Sequence, residues 1–311
     1  MLREKGKIKI IFYKILIIGL SFFLAFLLFT PHLVIGNILD TKITGVEYKA
    51  SDFNLKTKKV RLQTKDNLTL SAWHSKVDNP KATIIIISGI LNPSITAFFG
   101  HAKMLNDNDY NTFLIEMRAR HSSEGETIGL GYLEIEDVLA GVRYLDNEDS
   151  NPIVVMGTSM GGAVAIMAAG LDDRIKAVIS LSAFSSWEDV FVDNMYQQGL
   201  PKSLCQIQKP FVRLHSGIKF GFNKTKYSPL RALEDFNNQP LLLMHSTNDL
   251  EVPFSSFQRL KTRAVQLNIK TTTFIREGSH HFITYEEHFN DPLKDNEFSA
   301  ALLEFLNKQF Q

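Results

Sequence analysis

Residues 151–170, N-P-I-V-V-M-G-T-S-M-G-G-A-V-A-I-M-A-A-G, decide the fold of this chain. The β-branched run I-V-V predicts a buried strand, and the small residues after Ser159 predict a helix that follows almost at once. The chain must turn sharply between the two, and Gly157 and Gly161 leave room for that turn on either side of the serine. Such a turn directs the Ser159 hydroxyl over the end of a sheet. It also places the backbone N–H of Met160 at a helix amino terminus, where it can face a developing oxyanion.

The composition fits one large globular domain with an appendage. Of the 311 residues, 44% are hydrophobic and 22% are charged, which is enough apolar material for a sizeable core. The formal net charge of +1 provides no strong field, so we expect no nucleic-acid partner. The single cysteine, Cys205, excludes an intramolecular disulfide and a cysteine-based zinc cluster, and we interpret it as a packing residue.

The amino end has the composition of a membrane anchor. Basic residues between Arg3 and Lys14 precede an apolar run from Ile15 to Gly36, which as a helix would be about 33 Å long and could cross a hydrocarbon core. The basic bias predicts a cytoplasmic amino end with the remaining chain outside. A cleaved signal peptide, which would make the protein secreted, is the alternative. We expect residues 1–36 to lie outside the fold and residues 37–58 to form a connector along the sheet edge or a tether.

The remaining chain alternates strands with helices. A hairpin is predicted around Lys65-Asp66-Asn67, and a solid β-branched run at residues 83–87 predicts a central strand that ends at Ser88-Gly89. Further strands are predicted at residues 112–116, 177–181, 240–245 and 271–275, with helices between them. This alternation predicts an α/β protein with a doubly wound, mostly parallel sheet over residues 59–311.

The alternation stops between about residues 183 and 238. Seven large apolar side chains are scattered there among polar residues: Trp187, Phe191, Met195, Tyr196, Phe211, Phe220 and Phe222. The pattern favours irregular helices folded as a cap above the strand ends. Core packing is the ordinary role of each of these side chains, and together they are candidates for an apolar substrate wall.

Two loops that are distant in sequence from Ser159 can complete a catalytic set. A serine hydroxyl is a weak nucleophile, so it needs a base, and the base needs an orienting acid. Asp249 follows the strand predicted at residues 240–245, and His280 and His281 follow the last strand. The carboxyl ends of parallel strands share one rim, and the order Ser, Asp, His is the usual one for such a serine turn. Either histidine could be the base on this reasoning alone.

A metal site is the alternative to a catalytic role for the polar run that contains the two histidines. His280, His281, Glu286, Glu287 and His288 lack the H-E-x-x-H spacing and offer no fixed tetrahedral set. We therefore expect neither a metal nor another cofactor.

The motifs resemble those of the α/β-hydrolase fold superfamily over about residues 60–310. The segments G-T-S-M-G-G, H-S-T-N-D-L-E-V-P and G-S-H-H match the superfamily pattern in order and spacing. The resemblance implies that Ser159 is the nucleophile and Asp249 the acid. The common pattern of Gly, two residues and His implies His281 as the base, with His280 as the alternative.

The resemblance also implies an oxyanion hole made by the backbone N–H groups of Ile90 and Met160. The sequence departs from the superfamily here, since Ser88 stands where a histidine usually precedes the glycine. A backbone donor survives that change, but the support that the histidine gives to the loop is missing. Glu116 in place of a usual Asp and His121 in place of a usual Gly are interpreted as structural differences.

The expected function is hydrolysis of a carboxylic ester or thioester through an acyl-enzyme. The expected substrate is an apolar acyl ester or a lipid-like molecule, and the amino-terminal helix is expected to attach the protein to a membrane. A carboxylesterase or lipase-like enzyme is the first expectation. A serine peptidase of the aminopeptidase type is the second, and a catalytically silent, membrane-tethered binding module is the third. A serine in the turn argues against dehalogenase or epoxide-hydrolase chemistry, for which the superfamily uses an aspartate there.

Overall fold

The computed structural model describes residues 2–39, 42–90, 94–148 and 150–310. The chain begins with one long helix, α1 (Leu2–Leu39), and a connector joins this helix to a mixed α/β fold. Residues 40 and 41 of the connector and residues 91–93, in the loop after the third strand, lie outside the described part.

Within these residues, eight strands form one mixed sheet. They are β1 (Lys58–Gln63), β2 (Thr69–Ser75), β3 (Ala82–Ile87), β4 (Tyr110–Ile115), β5 (Ile153–Thr158), β6 (Ile175–Leu181), β7 (Leu241–Ser246) and β8 (Thr271–Arg276). The order across the sheet is β1-β2-β4-β3-β5-β6-β7-β8. β2 is antiparallel to β1 and to β4, and all other neighbours are parallel. The predicted hairpin and the mostly parallel sheet are confirmed.

Helices cover both faces of the sheet. α2 (Phe99–Asn106) and α10 (Asn296–Gln309) pack on one face, while α3 (Ile135–Glu148), α4 (Met160–Ala169) and α9 (Ser255–Gln266) pack on the other. The central strands β3, β4 and β5 are buried along their whole length. Burial on both faces is the physical reason for their continuous apolar runs, and it confirms the doubly wound architecture.

Four helices lie between β6 and β7, where the sequence predicted an irregular cap. They are α5 (Trp187–Gln197), α6 (Lys202–Phe220), α7 (Phe222–Thr225) and α8 (Pro229–Ala232). α6 is more regular than expected, since it runs for 19 residues with Pro210 inside it. Its buried residues Cys205, Gln208, Val212 and Ser216 recur every three or four positions, so one stripe of the helix faces its neighbours. Those neighbours are α5 and α1.

The position of α1 differs from the expectation that residues 1–36 lie outside the fold. The segment Lys9–Gly36 is long and apolar enough to cross a membrane, and its first half is exposed. In the second half of α1, however, Leu27, Ile35 and Leu39 are buried. Ile35 and Leu39 belong to an apolar cluster with residues of α5 and α6. A helix that is apolar on every face gives no sequence signal for the side that will pack.

The connector follows the edge of the fold rather than acting as a loose tether. The N–H of Ile43 donates to Ala119 O at 2.9 Å, and the N–H of His121 donates to Ile43 O at 2.7 Å. Ile43 therefore pairs with the loop that follows β4, at the carboxyl ends of the strands. The chain that descends from α1 is thus tied to the same rim as the predicted site residues.

Candidate active site

Ser159 lies in the turn between β5 and α4, at the carboxyl edge of the sheet. Its backbone has φ 58° and ψ −122°, a conformation that residues other than glycine rarely adopt. The turn is fixed by two hydrogen bonds: Ser159 N–H donates to Leu181 O at 2.8 Å, and Ala163 N–H donates to Ser159 O at 3.2 Å. A strained backbone that its surroundings hold in place is typical of a functional residue.

The two glycines around the serine are required by close backbone contacts. A Cβ at Gly157 would lie 2.2 Å from Gly161 O, and a Cβ at Gly161 would lie 2.6 Å from Ser88 O. Real Cβ atoms do not approach a carbonyl oxygen this closely, so larger residues do not fit at either position. The same contacts bring the serine turn against the loop after β3, which carries Ile90.

Asp249 and His281 come together at the rim, as their predicted loops suggested. His281 Nδ1 lies 3.0 Å from Asp249 Oδ1 and 2.8 Å from Oδ2. Asp249 Oδ1 also accepts the backbone N–H groups of Glu251 and Val252 at 2.9 and 3.0 Å. The carboxylate is therefore fixed by its own loop, and it in turn orients the imidazole ring of His281.

His280 points elsewhere. Its backbone N–H donates to Ser246 Oγ at 3.1 Å, and its ring packs edge-on against Tyr285 with 5.0 Å between the ring centroids. The chain turns directly after His280, whose carbonyl accepts the N–H of Ile283 at 2.9 Å, so the two rings face different neighbours. Of the two histidines, His281 is the one that is hydrogen-bonded to Asp249 in the described structure.

The ionisation of the pair follows from this contact. Burial would raise the pKa of Asp249, but the hydrogen bond and charge of His281 hold it below its usual range. Burial would lower the pKa of His281, but Asp249, with a contribution from Glu251, holds it above its ordinary value. His281 Nε2 lies 3.4 Å from Glu251 Oε2 and makes no hydrogen bond with a residue that the structure describes. This nitrogen is therefore not hydrogen-bonded to Ser159 in the described structure, and Glu251 is the carboxylate beside it.

A buried arginine supports the loop that contains Ile90. Arg120 is 1% exposed; its Nη2 donates to Ile90 O at 2.6 Å, and its Nη1 lies 3.5 Å from Ser88 Oγ. Arg120 thus supports the loop where a histidine usually does so in the superfamily. The sequence gives no signal for this contact, because its two residues are 30 positions apart.

The far end of the same loop is held by Glu116. Its Oε2 accepts Ser94 Oγ at 2.6 Å and the N–H of Ile95 at 3.0 Å. Burial raises the pKa of Glu116 to about 7, so this carboxyl group titrates near neutrality. These contacts agree with a structural role for Glu116, because it clamps the loop without reaching the serine.

Ser159 lines a cavity of about 480 Å³ below the cap. Ile90, Glu251 and Val252, from loops at the carboxyl edge of the sheet, also line this cavity. The cap supplies apolar walls from Phe184, Trp187, Val190, Phe191, Met195 and Leu200. Three of the seven predicted wall residues thus line the cavity, whereas Tyr196, Phe211, Phe220 and Phe222 do not.

The cavity has a further wall that the sequence did not indicate. Phe26, Thr30, Val34 and Ile35 of α1 also line it. These residues recur every four positions or stand next to one another, so they form one face of the helix. Nothing in a uniformly apolar segment distinguished that face beforehand.

Two other features of the described residues bear on the chemistry. No group of three or more His, Cys, Asp or Glu side chains among them is placed to hold a metal ion. Cys205 is a buried thiol that packs between α5 and α1 in the apolar cluster of the cap, as its interpretation as a packing residue predicted.

The sheet order, the strained serine turn and the convergence of the rim loops define an α/β-hydrolase. Within that class, the sequence profile of the prolyl oligopeptidase family matches residues 126–311, which is more than half of the chain. The protein belongs to this family.

Individual relatives agree with the assignment. The protein YqkD of Bacillus subtilis is 25% identical over 224 residues, 70% of each chain. Among solved structures, the Pyrococcus furiosus esterase Pf2001 superposes with a TM-score of 0.68 at 24% identity, covering 88% of this chain and 99% of that one. The acylaminoacyl peptidase of Pyrococcus horikoshii gives a TM-score of 0.62 at 18% identity, covering 86% of this chain and 44% of that one. At these identities, the two structures support the fold alone.

The family and the fold together support a serine hydrolase. Because similar structures include both an esterase and peptidases, the likeness leaves open whether the bond cleaved is an ester or an amide. That choice depends on the chemistry of the cavity.

We expect Arg120→Met to lower kcat by about tenfold or more, because the Ile90 loop loses the guanidinium that holds it; a lost oxyanion donor costs about 10²–10³ in kcat. KM should change little, since the cavity walls remain. The measurement is steady-state hydrolysis of a soluble ester per unit of folded enzyme.

Arg118→Met is the matched control for that variant. Arg118 is also buried on the loop after β4, but it pairs with Asp137 at 2.7 Å and with Asp66 at 2.6 Å. Its loss should lower the melting temperature and leave kcat unchanged. Equal losses of kcat in both variants would contradict the positioning role of Arg120.

We expect Glu251→Gln to move the acidic limb of the pH profile of kcat/KM to lower pH. A histidine with a raised pKa is protonated, and so inactive as a base, up to a higher pH; removing the nearby carboxylate lowers that pKa and extends the active range downward. Glu297→Gln, which changes an equally exposed carboxylate beside Arg276, should leave the profile in place. An unmoved profile in Glu251→Gln would show that this carboxylate does not act on His281.

Proposed function

We propose that the protein is a serine esterase that cleaves apolar acyl esters, with Ser159 as nucleophile, His281 as base and Asp249 as the orienting acid. The observation that carries the proposal is the strained turn at Ser159, which lines a mainly apolar cavity. The hydrogen-bonded pair of Asp249 and His281 lies on the same rim of the sheet. Acyl transfer by a serine needs an exposed nucleophile, an oriented base and a cavity for the acyl group. The Ser159 turn, the Asp249–His281 pair and the apolar cavity are the candidates for these three parts.

The reaction follows in two halves. Ser159 Oγ attacks the acyl carbon while His281 Nε2 takes the hydroxyl proton, and this proton then passes to the alcohol oxygen as the C–O bond breaks. A water molecule attacks the acyl-enzyme in the second half, giving one proton to His281, which returns it to Ser159 as the acid is released. Base catalysis of this kind contributes about 10²–10⁴ in rate.

The tetrahedral intermediates carry a negative oxygen that needs donors. Met160 begins α4, so its N–H is one of the unpaired amides at a helix amino terminus. We assign the second donor to the N–H of Ile90, whose carbonyl is held by Arg120. Each such donor is worth roughly 3 kcal/mol of transition-state stabilisation.

The cavity favours an apolar acyl group over a polar one. Most of its lining side chains are aromatic or aliphatic, and Glu251 is the charged side chain among them. A chain of methylene groups gains about 0.8 kcal/mol for each one that leaves water. A medium or long acyl chain is therefore the substrate portion that this cavity stabilises best.

A serine peptidase is the second candidate. Its support is the family, together with Glu251, a carboxylate that lines the cavity and could pair with the amino terminus of a peptide. A catalytically silent binding module is the third, and it would not need the hydrogen-bonded pair of Asp249 and His281.

We propose that α1 anchors the protein in a membrane, with the amino end in the cytoplasm and the hydrolase outside. The support is the apolar segment Lys9–Gly36 and the basic residues at its start, since such residues are retained on the cytoplasmic side. Protease added to sealed right-side-out vesicles should digest the hydrolase domain. Protection of that domain would reverse the orientation, and a soluble, shortened chain would point to signal cleavage.

We expect the full-length protein to hydrolyse a p-nitrophenyl ester series from acetate to laurate and to react with a fluorophosphonate. Ser159→Ala should lose both reactions. His281→Ala should lose about 10³-fold or more of the ester rate, because removing a triad member leaves only the residual catalysis of the oxyanion hole and binding. His280→Ala, its neighbour, should retain the rate of the unchanged protein.

The outcomes separate the three candidates. Loss of rate in His280→Ala with retention in His281→Ala would reverse the assignment of the base. Turnover of aminoacyl p-nitroanilides with no turnover of esters would favour the peptidase. A protein that is inert to every substrate and to the fluorophosphonate would be a binding module.

A further inference from the structure

The anchor helix forms part of the cavity that contains Ser159. Phe26, Thr30 and Val34 line this cavity, and they stand one turn apart along α1. Phe26 and Val34 are also 43% and 52% exposed. Where these residues line the cavity, its wall is therefore only one helix thick. The cavity reaches the outer surface beside this helix.

A specific hydrogen bond holds this helix against the cap. Pro31 lies inside α1 and has no N–H, so the carbonyl of Leu27 four residues earlier loses its helical partner. The side chain of Gln208 on α6, fully buried, donates its Nε2 to Leu27 O at 2.9 Å. A buried amide that satisfies the carbonyl freed by a proline shows that this face of α1 is built to pack on the cap.

The position of the membrane along α1 follows from its length. A hydrocarbon core needs about 20 helical residues; a span that starts after Lys9 ends near Phe29, and one that starts after Lys14 ends near Val34. The cavity wall begins at Phe26. On either count, the lower part of the cavity wall lies at the depth of the acyl chains in the leaflet on the side of the hydrolase.

Exposed apolar residues of α1 and α6 lie at the same depth in the membrane as the lower part of the cavity wall. His215 of α6 lies 3.4 Å from His32 of α1, and Gln208 contacts Leu27, so the two helices run side by side in the same direction. Ile207, next to Gln208, is 47% exposed. On the outer side of α1, Phe29 is 60% exposed. An exposed apolar surface that continues into a membrane helix is suited to lipid rather than to water.

We propose that the substrate is a long-chain acyl ester of the bilayer itself, which enters the cavity sideways along α1. This inference rests on the proposed esterase function and specifies its substrate. The acyl chain would move from its neighbours in the leaflet to the wall formed by Phe26, Thr30 and Val34. Its ester carbon would then reach Ser159 without the chain ever crossing water.

The energetic reason lies in the hydration of long acyl chains. Each methylene group costs about 0.8 kcal/mol to expose to water, so a chain of sixteen carbons is costly to extract through the aqueous phase. A cavity that opens at membrane depth avoids that cost. α1 is then a specificity element as well as an anchor.

The test compares two esters with the same leaving group. The full-length protein is placed in vesicles of dioleoylphosphatidylcholine and assayed with p-nitrophenyl butyrate in water and with p-nitrophenyl palmitate dissolved in the bilayer. We expect turnover of both esters. Val34→Trp, which fills the cavity from α1, should lower the ratio of palmitate to butyrate turnover by about tenfold, on the scale of one or two lost methylene contacts.

Leu33→Trp is the matched control. Leu33 is the neighbouring residue, 68% exposed, and it does not line the cavity. The same substitution there should leave the ratio unchanged. Ile207→Glu should also lower the ratio by placing a charge at the level of the lipid, whereas Val265→Glu, on the exposed face of α9, should not. Fluorophosphonate labelling of every variant shows that its serine site is folded.

The outcomes distinguish this inference from the function on which it rests. Absence of butyrate turnover in the unchanged protein would overturn the esterase proposal itself. Butyrate turnover without palmitate turnover would retain the esterase and overturn the bilayer substrate. Equal ratios in Val34→Trp and Leu33→Trp would also overturn it, because α1 would then be an anchor only.

Discussion

The backbone strain at Ser159 is the constraint on which the rest of the structure depends. A non-glycine residue at φ 58° and ψ −122° costs of order 1–3 kcal/mol and persists only where its surroundings enforce it. Here Leu181 O binds the N–H of Ser159, and Gly157 and Gly161 allow backbone contacts that no side chain would permit. The buried central strands hold these elements in register, so the core stabilises a turn that is unfavourable by itself.

The rim around this turn is held by two buried ionisable side chains, which bind backbone groups and serine hydroxyls of the loop after β3. Arg120 binds the carbonyl of Ile90, and Glu116 binds the N–H of Ile95. A buried ionisable group that loses its partners costs several kcal/mol. Displacing the loop between Arg120 and Glu116 would remove those partners, so the two side chains hold the loop in place. The connector adds to this, because Ile43 pairs with the backbone on both sides of Arg120. The connector that follows α1 thus pairs with the loop that contains Arg120.

The contact between Gln208 and Leu27 joins two parts of the molecule that would otherwise be independent. A proline in an apolar helix frees one carbonyl, which is costly to leave unpaired at low dielectric. Gln208 satisfies it and fixes which face of α1 meets the cap. As a result, three parts of the chain line the cavity: the rim of the sheet, the cap helices and α1. The cavity is therefore formed by the whole chain rather than by the hydrolase fold alone.

The sequence by itself determined the sheet, the serine turn and the loops that follow β7 and β8, because these depend on short-range patterns: β-branched runs, glycines at fixed spacing and polar residues after strands. It also narrowed the partner of Asp249 to two adjacent histidines. The tertiary structure places His281 there, because the chain turns after His280 and directs the two rings to different neighbours. Only the tertiary structure showed Arg120 beneath Ile90, the regularity of α6 and the face of α1 that lines the cavity. Each of these depends on a partner distant in sequence, and an apolar helix carries no pattern that distinguishes the side facing protein from the side facing lipid.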